Sequence, residues 1–136
     1  KGKAFLLVDA PDTERARLTV TAVKDGAARM GVVACADADC TRRIEGVVTS
    51  VYGPDGNMHM RSYRGSESRT LDCSWFNIAD GIAYRFTFEA RGRKLALAMK
   101  NMPTLAAALE RGEAGKFGLF VEDGGMLVTD IRLERI

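Results

Sequence analysis

The chain holds one histidine (His59), one tryptophan (Trp75), three prolines and three cysteines in 136 residues. A single histidine removes most acid–base chemistry near neutral pH, because no other side chain titrates there unperturbed. With only that histidine beside Cys35, Cys40 and Cys73, no zinc-ligand spacing is present. No serine sits in a Gly-x-Ser-x-Gly elbow, which argues against a Ser/His/Asp hydrolase. The glycines are single turn residues and form neither a phosphate loop nor a dinucleotide fingerprint. No apolar run approaches the roughly 20 residues that carry a helix across a membrane. The 20 basic and 18 acidic residues are interspersed, without a long run of one sign. Charge therefore gives no support to nucleic-acid binding or membrane insertion. No signal peptide is visible. The chain opens on a strand-like segment at Lys1, which leaves open an export signal or a further domain ahead of it.

Cys35 and Cys40 bracket Ala36-Asp37-Ala38-Asp39, a spacing that can close a small loop disulfide. The odd count leaves one thiol over, or pairs one of the first two with Cys73. Three reduced cysteines, two of them buried as small hydrophobes, is the other reading.

What the chain has in plenty is period-two alternation. Lys3–Asp9 is an apolar run closed by Pro11-Asp12. In Ala16–Lys24, Leu18, Val20 and Ala22 face one way and Arg17, Thr19 and Thr21 the other, up to an Asp25-Gly26 turn. Arg29–Cys35 and Arg43–Tyr52 are β-rich. Pro54-Asp55-Gly56 turns the chain into Asn57–Tyr63. After a polar loop at Gly65–Ser68, strands are expected over Arg69–Phe76, Ile82–Ala90 and Lys94–Lys100. One segment breaks the rhythm: Pro103–Gly112 has helix formers, an early proline and a glycine stop, and predicts a short helix. The count is nine or ten short strands in one domain spanning 1–136. The fold class expected is all-β, an antiparallel two-sheet jelly-roll sandwich with one short helix before a C-terminal hairpin.

The last stretch, Gly115–Gly125 followed by Met126–Ile136, reads as two strands joined by a glycine turn. With Ala16–Thr21, Met30–Val33, Tyr84–Glu89 and Gly92–Leu97, it resembles the concanavalin A-like lectin/glucanase superfamily. The flavour is closest to laminin-G-like and 3-keto-disaccharide-hydrolase-like domains. That resemblance implies a β-sandwich and a range of functions from lectins to glucanases, so fold alone does not choose among them. Glycosidases on that scaffold carry a Glu-x-Asp-x-x-Glu strand with two close carboxylates. Here Glu45 stands alone on its strand, and adjacent Glu122 and Asp123 would point to opposite faces. This argues against glycosidase chemistry.

The candidate ligand-binding residues are Asn57, His59, Arg61 and Tyr63, with Trp75. Alternation sends Met58, Met60 and Ser62 to the other face. A row of amide, imidazole, guanidinium and phenol suits sugar recognition, offering planar donors for hydroxyls and an aromatic plane for a pyranose. The same row also reads as a solvent-exposed face with cross-strand pairs. Trp75 is either a stacking platform or half-buried support. Asp37 and Asp39 offer two oxygens toward calcium, short of the six to eight such a site needs. No other cofactor is expected. A Cys73–His59 thiol dyad has nothing in the sequence to place the two together.

The reading is a non-catalytic domain that binds carbohydrate in a secreted or cell-surface context. Its rivals are an accessory subunit bound to a protein partner, and a glycan hydrolase or lyase dependent on Glu45 or Glu122.

Overall fold

The computed structural model describes residues 2–26, 29–49, 56–75 and 78–136. Tyr52, Pro54, Asp55 and Phe76, used in the readings above, lie outside the described residues.

Among the described residues, eleven strands make two antiparallel sheets. The six-stranded sheet has the order β1 (Lys3–Leu7), β10 (Lys116–Glu122), β3 (Arg29–Ala36), β4 (Arg42–Thr49), β5 (Met58–Arg64), β6 (Glu67–Ser74). The five-stranded sheet has the order β11 (Gly125–Arg135), β2 (Arg15–Asp25), β7 (Ala83–Arg91), β8 (Lys94–Met99), β9 (Leu105–Ala108). Period-two patterning explains the packing. Leu18, Val20 and Ala22 of β2 meet Phe86 and Phe88 of β7 and Leu95 and Leu97 of β8 in one core. From the facing sheet come Met30, Val32, Ile44, Val48, Met58 and Met60. Each alternate residue buried this way removes apolar surface from water, at about 25 cal/mol per Å².

The six-stranded sheet is also partly covered on its outer face. Val33, Val47 and Phe120 form a second buried cluster there, with Phe5 and Leu7 of β1 against it. Gly31 of β3 lies beneath this cluster. A Cβ there would fall 1.9 Å from the Gly46 carbonyl oxygen and 2.9 Å from the Phe120 ring, so the ring settles over bare backbone.

Two expectations are corrected. The short helix over Pro103–Gly112 is instead β9, paired with β8 through Leu97↔Leu105 to Lys94↔Ala108. Leu105 and Leu109 are buried, and the Ala106 amide donates to Asp72 of β6 at 2.9 Å. The open edge of β8 supplies hydrogen-bonding partners, and tertiary pairing overrides a helix propensity of a few tenths of a kcal/mol per residue.

The C-terminal hairpin does not form as a pair. β10 is already flanked by β1 and β3, while β11 runs along β2 in the opposite sheet. Asp123, in the left-handed region at φ 56°, turns the chain from one layer to the other. Its carboxylate accepts from the Gly2 amide at 2.8 Å.

Of the two readings of the cysteines, the structure has the reduced one: all three thiols are free, with Cys35 and Cys40 buried and Cys73 exposed. Cys35 belongs to the main core and Cys40 to the outer cluster, so the sheet separates them.

Candidate functional site

β5 sets the site. Met58 and Met60 are fully buried in the core, which turns Asn57, His59, Arg61 and Tyr63 to the outer face, as alternation predicts. The four differ in what they can offer. Asn57, just ahead of β5, is buried, and its side-chain amide donates to the Thr49 carbonyl at 3.2 Å. Its Oδ1 is buried with no hydrogen-bond partner among the described residues. His59 is also buried, aligned with Val47 on β4 and Cys73 on β6. Cys73 is exposed, so the register brings this thiol and the imidazole to neighbouring positions, which the sequence could not show.

Arg61 and Tyr63 are half-buried. The Arg61 guanidinium donates to Thr70 Oγ1 at 2.6 Å and to Ser68 Oγ at 2.9 Å, both on β6. Those two bonds fix a planar donor on the sheet surface. Ser68 also lines an open cleft of about 870 Å³, with Ser62, Arg64, Arg69 and Glu113 among its other walls.

Tyr63 is not a bare ring. The Arg43 guanidinium carbon sits 4.0 Å from its centroid, Lys3 Nζ 5.1 Å and the Arg61 guanidinium carbon 6.0 Å. Cations over an aromatic face are attracted by its quadrupole. Three cations from β1, β4 and β5 thus converge on one phenol.

Trp75 follows β6 directly and is 60% exposed. Gly56, at φ +69°, bridges Ser74, and a Cβ there would lie 2.3 Å from the Ser74 carbonyl oxygen. The glycine thus lets the strand ends close next to the indole. Its exposed indole is an aromatic surface at this end of the sheet.

The residues that sequence reading did not gather lie on the same face. Glu45 of β4 is only 1% exposed. Both its oxygens accept from Lys3 Nζ, at 3.1 and 3.0 Å, and Oε2 also accepts from Arg43 Nε at 2.7 Å. Arg43 additionally donates to the Cys40 carbonyl at 2.6 Å. Glu122 of β10 stands 3.8 Å from Lys3 and 3.4 Å from Arg29. A buried charge needs such partners, since desolvation otherwise disfavours the ionised form strongly. The available signal was a charged residue in an apolar alternation, in phase with Val47. Its partner Lys3 lies 42 residues away in sequence.

Asp37 and Asp39 serve their own loop. Both accept from the Thr41 hydroxyl, at 2.9 and 3.0 Å, and Asp37 also accepts from the Arg42 amide. Desolvation pushes the Asp37 carboxyl up, but the bonds from Arg42 and Thr41 outweigh it and hold the group below its usual range. Burial, with a smaller push from Glu113, drives the Cys35 thiol up to about 12, and burial also raises Cys40.

No sequence-family profile matches the chain, and no curated protein matches it in sequence. Solved structures do match its shape. A carbohydrate-binding module, CBM66 from Bacillus subtilis, superposes with TM-score 0.81 at 17% identity, covering 98% of this chain and 83% of that one. A homodimeric agglutinin from chicken liver, CG-16, gives 0.68 at 12% identity over 96% of this chain and 100% of its own. A toad ovary galectin in complex with thio-digalactose gives 0.68 at 10% identity, over 98% and 99%. These are concanavalin A-like jelly-roll sandwiches, and the chain shares that fold.

Proposed function

We propose that this chain is a non-catalytic carbohydrate-binding domain whose ligand lies along β5 and β6 on the outer face of the six-stranded sheet. The observation that carries the reading is the pairing of an exposed indole with a pre-fixed guanidinium on one strand pair. Trp75 offers a plane for the C–H face of a sugar ring, while Arg61, held by Ser68 and Thr70, offers parallel N–H donors to ring oxygens or hydroxyls. His59 and Cys73 occupy the floor between them. Tyr63, covered by Arg43, holds the cations in place and does not stack on ligand. Glu45 and Glu122 are tied to cations, which suits a binding face more than an acid/base pair. Likeness to a carbohydrate-binding module and to lectins supports the same reading. An extracytoplasmic setting, where glycans are commonly met, is part of this proposal.

A glycan array probed with the wild-type chain and with Trp75→Ala tests it. Binding by the wild type, lost in the folded variant, is the expected result. No glycan bound by wild type, with a stoichiometric protein partner co-purifying, would favour an accessory subunit.

A further inference from the structure

On the outer face of the six-stranded sheet, Lys3, Arg29 and Arg43 share two carboxylates, Glu45 and Glu122. The surplus of positive charge exists on these five residues alone, and Arg61 adds its guanidinium 6.0 Å from the Tyr63 ring centre. Like charges gathered at this spacing repel one another, and the repulsion is stronger beside buried surface than in open water. Buried Glu45 needs a cationic partner, but one cation would neutralise it, and Val33, Val47 and Phe120 close the rest of this face with apolar contacts.

We infer that the glycan bound on this face carries an anionic group, a carboxylate or a sulfate, seated against the Lys3–Arg43–Arg61 cluster around Tyr63. This rests on the carbohydrate-binding reading and adds the ligand's charge to it. Arg61, held in place by Ser68 and Thr70, adds a fixed guanidinium charge to the cluster. Lys3, 22% exposed at its side chain, supplies a point charge from the edge strand. Glu45 acts as a positioning residue: its two oxygens fix Lys3 and Arg43 without neutralising both.

The test is a printed panel in which each neutral glycan stands beside its uronate-bearing and its sulfated counterpart, probed at about 50 and about 500 mM salt. Expected is a preference of about tenfold or more for the anionic forms at low salt, shrinking to within about threefold at high salt. The two anionic arms identify which group is taken. Arg29→Gln reduces the preference by several-fold while neutral binding and melting temperature hold, and Lys3→Gln reduces it with a lowered melting temperature, because buried Glu45 loses one of its two cations. Arg85→Gln, on the outer face of the five-stranded sheet, leaves the preference unchanged. Neutral and anionic forms bound equally at both salts would overturn the inference and leave the binding reading standing. An equal loss with Arg85→Gln would overturn it as non-specific attraction. A panel with no binding at all would remove both.

Discussion

The guanidinium carbon of Arg43 sits 4.0 Å from the centre of the Tyr63 ring, while its Nε donates to Glu45 at 2.7 Å. One arginine thus links a buried carboxylate to an aromatic ring, and Lys3 reaches both from the edge strand. The candidate ligand face is built on this knot.

Replacing Glu45 removes the one carboxylate that both cations share. Glu45→Gln is expected to lower stability by roughly 3 kcal/mol, since it leaves Lys3 and Arg43 half-buried beside each other. Urea unfolding at neutral pH checks this. A loss below about 0.5 kcal/mol would show that the knot is not structural.

The free thiols should separate by reactivity. Cys73 is exposed, and Cys35 and Cys40 are buried. One equivalent of a thiol reagent is expected to react in the native chain and three after unfolding. The thiolate is the reactive form, and burial raises the pKa of both Cys35 and Cys40. Two or three fast equivalents in the native state would contradict the burial of Cys35 and Cys40.

β9 replaces a helix that the composition of its segment favours. Leu105→Ala is expected to destabilise by about 2–4 kcal/mol, because the side chain is buried where β9 closes the sheet edge. Far-UV circular dichroism of the wild type should show a β spectrum without helical minima.

Glu89 gives a pH signature. Desolvation raises its pKa, but Arg91 and Arg17 outweigh that, so the folded value lies below the usual one. A depressed carboxylate pKa stabilises the fold above the unfolded value of about 4.3, and that contribution is lost as pH falls through the folded value. The stability gap between wild type and Glu89→Gln should be under about 1 kcal/mol at pH 7, the pair being part-exposed, and should close as pH falls through the lowered folded value.

Alternation alone made the sandwich legible. Leu18, Val20, Phe86, Phe88, Met58 and Met60 all lie inward as their phase requires. The outward row of β5 followed from the same rule, because one buried methionine fixes the direction of its neighbours. The failures were non-local. Ala106, Ala107 and Ala108 prefer helix in isolation, and only the open edge of β8 makes them a strand. The segment through Glu122 and Gly125 looks like a hairpin, because a glycine turn does not reveal that β1 and β3 already flank β10. Glu45 was visible as a solitary acid, but its two cations come from β1 and from its own strand, and no spacing signals the first of them.

Trp75 is the only tryptophan, so its fluorescence reports directly on the proposed ligand face. The most direct measurement is a titration of that fluorescence with a glycan that binds on the array, set beside calorimetry of the same pair. The account predicts a saturable change with the calorimetric Kd, and a loss of affinity of about tenfold or more with Arg61→Gln. Calorimetric binding with no change at the indole, and with full affinity kept by Arg61→Gln, would place the ligand elsewhere and contradict it.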